Sequence, residues 1–221
     1  MCSFFDKPTI IEPPLDCTIC PRLYSFRSNN RLLFPEWYNN PVPIFVPEDG
    51  LLSTELLIVG LAPGLQGANK TGRPFTADYA GDLLYSTLTK YGLAKGNYQA
   101  RADDNLTLIK TAIINAVRCV PPANKPIGSE INNCRQFMAP LLYNLPNLKS
   151  IISLGTIAHN SILKAAKLPL SMYKFKHNAL YKIKINDKQI NLISSYHCSR
   201  YNTNTGRLTT EMFYQVFDRL L

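Results

Sequence analysis

The amino-acid sequence predicts an α/β fold in which one parallel β-sheet lies between two layers of helices. Two observations support this prediction: candidate strands alternate with candidate helices along most of the chain, and most of the strands are apolar at every position. A strand without polar positions is buried on both faces, as in a parallel sheet covered by helices. With 221 residues, of which 46% are hydrophobic, we expect residues 1–221 to form a single domain.

The first part of the chain differs in composition and periodicity from the rest. Residues 1–50 are rich in proline and aromatic residues and have no sustained period, so we predict an irregular arm wrapped on the core. The first strand is predicted at 56–60, an apolar run that ends in glycine, and a loop rich in glycine and proline follows it. Leu84, Leu88 and Tyr91 then lie at helical spacing.

A strand followed by a helix is then predicted three times. The strands are expected at 111–117, 150–154 and 191–195. Each is followed by residues with a helical pattern, which are 134–145, then Ala158, Ile162 and Ala165, then Met212, Val216 and Leu220. Before the last strand, residues 181–185 and an Asn-Asp turn predict one arm of a small hairpin.

Composition limits the partner and the compartment. A formal charge of +9 and a pI near 9.3 favour an anionic partner, for which nucleic acid is the best candidate. No apolar run approaches the ~18 residues of a membrane span, and the N-terminus lacks the zones of a signal peptide. We therefore expect a cytoplasmic, nucleoid-associated protein whose cysteines stay reduced and, where paired, bind metal.

Four of the six cysteines form two pairs that are far apart in the sequence. These are Cys17, Cys20, Cys119 and Cys134. Two thiolates separated by two residues can reach one metal or cluster from a single turn, whereas the long gap between the pairs requires the fold to bring them together. The pattern thus predicts a metal that ties the N-terminal arm to a distant segment. Cys2 and Cys198 stand apart.

The loop after the first strand is a candidate ligand site, because ligands of parallel sheets gather beyond the carboxyl ends of the strands. It begins with glycines and small residues at 60–64 but lacks the Lys-Ser/Thr of a phosphate-binding P-loop, which disfavours a nucleotide triphosphatase. Phe75 either stacks on a flat ligand or fills the core. Asp78 is a candidate acid or base and also a candidate N-cap of the helix near Tyr79, and both roles are compatible.

Polar side chains also follow two other strands. Asn115 lies in an otherwise apolar strand, so its amide needs partners, either in a structural network or on the edge of a base. His197 follows the last strand, where a catalytic imidazole would be placed, although such a histidine is more often structural. We interpret His159 and His177 as structural. The polar, basic and aromatic loop at 200–208 is suited to contact with phosphates.

Six segments, in order, resemble the motifs of the uracil-DNA glycosylase superfamily, and specifically of its iron–sulfur family 5, the UDGb group. They occupy residues 60–64, 71–78, 115–125, 154–159, 195–199 and 202–209. The resemblance covers about residues 15–217 and includes the paired cysteines. It implies a three-layer α/β/α sandwich with a four-stranded parallel sheet. It also implies a [4Fe–4S] cluster on the four paired cysteines, with zinc as the chemical alternative.

The resemblance further implies a monofunctional DNA glycosylase of base excision repair. Such an enzyme hydrolyses the N-glycosidic bond of uracil, and of hypoxanthine or other deaminated bases, after flipping the nucleotide out of DNA. Phe75 would stack on the base and Asn115 would bind its edge. His197 would donate a hydrogen bond to the departing base, and Asp78 would orient water or face the sugar cation.

The resemblance assigns further contacts to the remaining site residues. Gly60, Leu61, Ala62 and Gly64 would line the pocket for the base, and Arg200 and Arg207 would grip the DNA strand. We expect DNA containing uracil or other deaminated bases as the partner, no membrane association, and a monomer.

Four positions qualify the resemblance. Leu61 and Ala62 leave the first motif without the carboxylate of family 4, so attention moves to Asp78. Cys198 replaces the usual proline after the histidine, which frees φ and is expected to loosen that loop. Ala77 stands where glycine is common. The alternatives are a family 4-like uracil-DNA glycosylase, a non-catalytic iron–sulfur DNA-binding protein of the same fold, and a zinc-stabilised nucleic-acid module outside the superfamily.

Overall fold

A computed structural model describes residues 11–220 of the protein, so Cys2 lies outside the described residues. The strands in chain order are β1 (Leu56–Gly60), β2 (Ala94–Lys95), β3 (Thr107–Leu108), β4 (Thr111–Asn115), β5 (Ser150–Leu154), β6 (Ala179–Ile185) and β7 (Lys188–Ser195). Strands β2 and β3 pair with each other in a small antiparallel ribbon, and the other strands form the central sheet.

The helices complete the α/β architecture. In chain order they are α1 (Pro21–Leu33), α2 (Ala68–Thr71), α3 (Tyr79–Lys90), α4 (Gly128–Asn144), α5 (Thr156–Ala165), α6 (Arg200–Asn204) and α7 (Thr210–Asp218), with short 3-10 turns at Leu51–Ser53 and Pro122–Asn124. No helix within residues 11–220 has the length and apolar composition needed to span a lipid bilayer.

The central sheet has five strands in the order β4-β1-β5-β7-β6. The four predicted strands are present and parallel, but the expected count of four is wrong, because β6 adds an antiparallel edge strand beside β7. The reason is local: Asn186, with φ near 52°, forms a tight turn, and β7 begins at Lys188, early enough to pair along all of β6. Both arms of the predicted hairpin therefore belong to the sheet.

Alternate residues of the parallel strands face two separate hydrophobic cores, which confirms the three layers. On β1, Leu57 and Val59 pack towards α4 and α5. Leu56 and Ile58 pack towards α3 and α7 on the other face. Burying both faces explains why the strands are apolar throughout.

The N-terminal arm departs from the prediction of irregular structure, because residues 21–33 form helix α1. It begins after Cys20, with Pro21 at its first position, where a missing N–H costs nothing. Its buried positions are Leu23, Arg27 and Asn30, so its inner face is largely polar. A helix whose buried face is polar has no apolar period, and this explains why the sequence pattern did not reveal it.

Candidate active site

A cleft of about 580 Å³ opens at the edge of the sheet where the parallel strands end. Its lining comes from segments that follow β1, precede and begin α3, and follow β7, together with Asn124 after β4. The predicted residues Gly60, Phe75 and Asn115 are not among the lining. The predicted residues among its lining are Leu61, Ala62, Gly64, Asp78, His197 and Arg200. The volume falls within the range of small-ligand pockets, ~300–1,000 Å³.

Sequence reasoning missed several residues of the cleft. These are Gln66, Tyr79, Asn124 and Ser199, among others. Tyr79 and Ser199 adjoin predicted site residues, so proximity to a motif could have identified them. Asn124 lies within the motif at 115–125 and Gln66 follows the motif at 60–64, but only the tertiary structure brings these two loops to one cleft.

Asp78 has the predicted capping role and also lines the cleft. It is the N-cap of α3, and its Oδ1 accepts a hydrogen bond of 3.0 Å from the Gly81 amide. Its other oxygen is near the glycine loop, since a Cβ at Gly67 would lie 3.1 Å from Oδ2. Burial raises the pKa of the Asp78 carboxyl, against the lowering effect of the amides of Gly81 and Ala80.

His197 presents a half-buried imidazole to the cleft. Burial lowers its pKa to about 4, so the ring is neutral at pH 7 and can donate only one hydrogen bond. The backbone of the loop is anchored, because Asn202 Nδ2 donates to the His197 carbonyl over 2.8 Å. The thiol of Cys198 is fully buried and lies 3.5 Å from the Ala80 carbonyl, so the residue that replaces proline anchors this loop to α3.

Phe75 packs against His197, with ring centroids 5.8 Å apart and an interplanar angle of 28°. Only 5% of Phe75 is exposed, and it belongs to the core beneath α3, which supports the core interpretation of this residue. Its φ is near 56° and that of Ala77 near 59°, a left-handed backbone that costs roughly 1–3 kcal/mol per residue. The strained turn brings Asp78 and the Phe75 ring to the same end of the sheet.

Gly60 separates Phe75 from Asn115. A Cβ at position 60 would overlap both the Phe75 ring and the Asn115 side-chain oxygen, so only glycine fits here. Asn115 is 4% exposed, and its side-chain oxygen lies beside Gly60. No hydrogen bond joins its side-chain amide to another residue of 11–220, and neither polar atom of that amide is among the fully buried, unpaired ones, so the amide is accessible to a ligand.

A buried ion pair supports the strained turn. Arg73 donates two hydrogen bonds of 2.7 Å to the Asp104 carboxylate, and its Nε donates to Thr76 Oγ1 over 2.9 Å. The guanidinium also lies 5.4 Å from the centroid of the Tyr85 ring. A bidentate pair of this kind fixes position as well as charge. Arg73 thus holds the turn from which Phe75 emerges.

The two predicted DNA-binding arginines occupy different places. Arg200 lines the cleft, with its guanidinium 5.6 Å from the centroid of the Tyr79 ring. Arg207 does not line the cleft but lies 4.6 Å from the centroid of the Tyr196 ring. Tyr196 in turn stacks on His177 at 4.9 Å. His159 is structural, as predicted, since its two ring nitrogens contact Tyr173 O and Ser194 Oγ.

The four paired cysteines line one enclosed cavity next to the carboxyl end of β4. The Arg118 amide donates to Cys134 Sγ over 3.3 Å, and Asn133 Nδ2 lies 3.7 Å from Cys20 Sγ. Burial, together with the charges of the neighbouring cysteines, raises the pKa of Cys119 to about 12 and that of Cys134 to about 11. A bound cation would remove this penalty, because thiolates rather than thiols are metal ligands.

The charge around this cavity fits an anionic four-thiolate group. Arg27 is fully buried, and its Nη atoms donate to the carbonyls of Leu15 and Cys17. Its Nε has no partner, and no carboxylate within residues 11–220 pairs with it. No set of three or more His, Cys, Asp or Glu in the same residues is arranged to hold a metal ion. The cavity brings together four thiols, and Arg27 adds a buried cation near them.

Comparison with known proteins agrees with this geometry. The family model of the uracil DNA glycosylase superfamily matches residues 47–221. A type-5 uracil-DNA glycosylase of Thermus thermophilus is 38% identical over 217 residues, covering 96% of this chain and 95% of the relative. Proteins of the same name from Pyrobaculum aerophilum and Mycobacterium tuberculosis are each 34% identical over 209 residues. The alignment with the Pyrobaculum protein covers 93% of this chain and 88% of the relative. The alignment with the Mycobacterium protein covers 91% of this chain and 75% of the relative.

Proposed function

The chain belongs to the uracil DNA glycosylase superfamily, and we propose that it hydrolyses the N-glycosidic bond of uracil in DNA as a type-5 enzyme of base excision repair. The observation that carries the proposal is the meeting of Asp78 and a neutral His197 on one cleft. Hydrolysis at a deoxyribose needs stabilisation of a cationic sugar and of an anionic leaving base, and these two side chains supply both kinds of group.

Recognition of the base is assigned to the inner end of the cleft. The target nucleotide is flipped out of the duplex, because its glycosidic bond is inaccessible inside the stack. The free amide of Asn115 then pairs with the edge of the base, and the backbone at Leu61–Gly64 lines its pocket. Phe75 contributes a face next to His197, although most of its ring is covered by the core. This recognition extends to hypoxanthine or other deaminated bases that present a similar edge.

His197 stabilises the leaving base. As the bond to the sugar breaks, its electron pair moves to the base, and negative charge develops on a carbonyl oxygen. A neutral imidazole donates one N–H to that oxygen without itself losing a proton, which suits a ring whose pKa is near 4. Donors aimed at developing charge are typically worth about 10²-fold or more in rate.

Asp78 acts on the sugar side. The helix cap fixes Oδ1, which leaves Oδ2 to hold the attacking water or to face the sugar cation. Water adds its oxygen to the anomeric carbon and gives one proton up, and the released base takes up a proton. No lysine lines the cleft within the described residues, which supports a monofunctional enzyme. Borohydride should trap no covalent adduct with DNA.

We infer that Cys17, Cys20, Cys119 and Cys134 hold a [4Fe–4S] cluster. When bound, the cluster supplies a structural cross-link between the N-terminal arm and the segment after β4, and no step of the reaction passes through it. The expected result is visible absorption of the purified protein, with iron and sulfide each present at roughly four per chain. A colourless anaerobic preparation that contains zinc would contradict the inference.

The activity is tested by uracil release from a duplex with a single uracil, measured under single-turnover conditions. Asp78→Ala and His197→Ala should each lose about 10²-fold or more in rate. Asp187→Asn is the control, since this residue is fully exposed on the hairpin turn. Full activity in either cleft variant would overturn that residue's role. A wild-type protein that binds DNA but releases no base from any lesion would overturn the proposed function.

A further inference from the structure

A second cavity, of about 200 Å³, lies between helices α4 and α5, outside the active cleft. We call it the α4–α5 niche, and its polar lining consists of Asn132, Arg135, Asn160, Ser161 and Lys164. Two of these residues are cations, two are amides and one is a hydroxyl. A lining with donors and no carboxylate is suited to an anion.

The two cations of the niche lack anionic partners in the protein. Neither Arg135 nor Lys164 takes part in an ion pair among residues 11–220. Arg135 donates to the side-chain oxygen of Asn132 over 2.8 Å, which orients the guanidinium without neutralising it. Because a partly buried guanidinium is normally paired, this arrangement leaves room for an external anion.

Two polar atoms of the niche residues are buried without a hydrogen-bond partner. They are Arg135 Nε and Ser161 Oγ, and Ser161 is only 2% exposed. A buried donor without a partner destabilises the folded protein. An anion with several acceptor oxygens could accept from both atoms and from Lys164 at once. These unpaired donors are the second sign, beside the charge, that a ligand completes the niche.

The niche borders the active site. Ile157 lines the niche and also lines an apolar cleft that contains His197 and Leu61. A DNA strand that places a flipped nucleotide next to His197 would continue past Ile157. We propose that the α4–α5 niche binds a backbone phosphate of the DNA that occupies the active cleft, with Arg135, Lys164 and Ser161 as donors. This proposal rests on the proposed function, because it requires DNA in that cleft.

The test measures binding to an undamaged duplex at a series of NaCl concentrations, so it does not depend on base release. Removing one cation that binds a phosphate should reduce the slope of log K against log[salt] by about 1. Arg135→Gln and Lys164→Gln should each weaken binding several-fold and reduce the slope. Lys182→Gln is the control, since it removes the same charge from an exposed, unpaired position on β6 and should leave the slope unchanged.

Ser161→Ala distinguishes a role of the hydroxyl in binding phosphate from a role in stabilising the fold. If the hydroxyl binds phosphate, the variant should weaken duplex binding while its thermal stability stays equal to that of wild type or rises, because an unpaired buried group is removed. Unchanged binding in Ser161→Ala would remove this residue from the site. Arg135→Lys should retain most of the salt dependence, because it keeps the charge.

Two results would overturn the proposal. Equal weakening in Arg135→Gln and Lys182→Gln would mean that the effect is one of net charge alone. The second result combines two measurements: inorganic phosphate shifts the Arg135 Nε–H resonance of wild type, and Arg135→Gln leaves the salt dependence of duplex binding unchanged. Together they would identify a site for a free anion instead of DNA. A failure of uracil release, by contrast, would leave the salt slope intact and would count against the proposed function only.

Discussion

The active cleft and the cysteine cavity both bury polar groups, but they satisfy them in different ways. In the cleft, Asp78 is held by the amide of Gly81 in its own helix, and in the turn that leads to it Arg73 is neutralised by Asp104. In the cysteine cavity, Arg27 retains an unpaired Nε, and the thiols have raised pKa values. The protein alone therefore satisfies these groups of the first region, whereas the cysteine cavity keeps buried groups that no other residue of 11–220 satisfies. The first region is preorganised by its own contacts, and the second is not.

The two regions meet on one segment. Asn115 ends β4 and contacts Gly60, and Cys119 follows four residues later. Backbone hydrogen bonds from Ala116 and Val117 to Gly60 and Leu61 connect this segment to the loop after β1. A group held by the cysteines would therefore brace Asn115 without entering the cleft.

The largest expected effect separates the role of Asp78 as a helix cap from its role in the reaction. Asparagine caps a helix about as well as aspartate, so Asp78→Asn should retain wild-type stability and still lose about 10²-fold in rate. Asp78→Ala should lose the same rate and, in addition, about 1 kcal/mol of unfolding free energy. Single-turnover uracil release and urea unfolding measure the two effects. An active Asp78→Asn variant would show that the carboxylate serves only as a cap.

A smaller effect is expected from the buried cation of the cysteine cavity. Arg27→Met keeps much of the volume but removes the charge, so the purified protein should contain several-fold less iron and show weaker visible absorption than wild type. The iron content of Arg27→Lys, which keeps the charge, should lie between those of Arg27→Met and wild type. Iron analysis and absorption do not depend on turnover. An Arg27→Met protein with full iron content would mean that this cation does not compensate the metal group.

The smallest effect concerns the imidazole of the cleft. The folded-state pKa of His197, about 4, lies below its ordinary value of 6.5, so the neutral ring contributes stability that is fully present above pH 6.5. This stability is lost as the pH falls through about 4, because the imidazole of the unfolded state binds a proton more readily than that of the folded state. We expect the unfolding free energy of wild type to fall more steeply from pH 6.5 towards 4 than that of His197→Asn. Parallel urea-unfolding curves for the two proteins across this range would contradict the assignment.

Much of the fold was predictable because its signals are local. The strands from 56, 150 and 191 are apolar at positions that face both cores, and their predicted ends agree with the carboxyl ends of β1, β5 and β7. Asp78 was identified as a helix cap from its place before an apolar period. Helix α1 was missed for the opposite reason, since Arg27 and Asn30 occupy its buried face.

The site was only partly predictable. The motifs contain Asp78, which caps α3, and His197, which follows β7, and both line the cleft. Asn115, which the motifs also contain, ends β4 and is not among the lining residues. Nothing local distinguished Arg200, which lines the cleft, from Arg207, which packs on Tyr196 instead. The direction of a long surface side chain depends on neighbours from other segments, and these are known only once the chain is folded.

The sequence by itself determined the layers of the fold, the order of its elements and the family to which the chain belongs, because hydrophobic period and short motifs are properties of neighbouring residues. The tertiary structure alone decided two features: the presence of Gln66 and Asn124 in the active cleft, and the α4–α5 niche. Each depends on the pairing of residues far apart in the chain. Such pairings are selected by the packing of the whole molecule, since the entropy cost of bringing distant segments together is recovered only when the complete core forms.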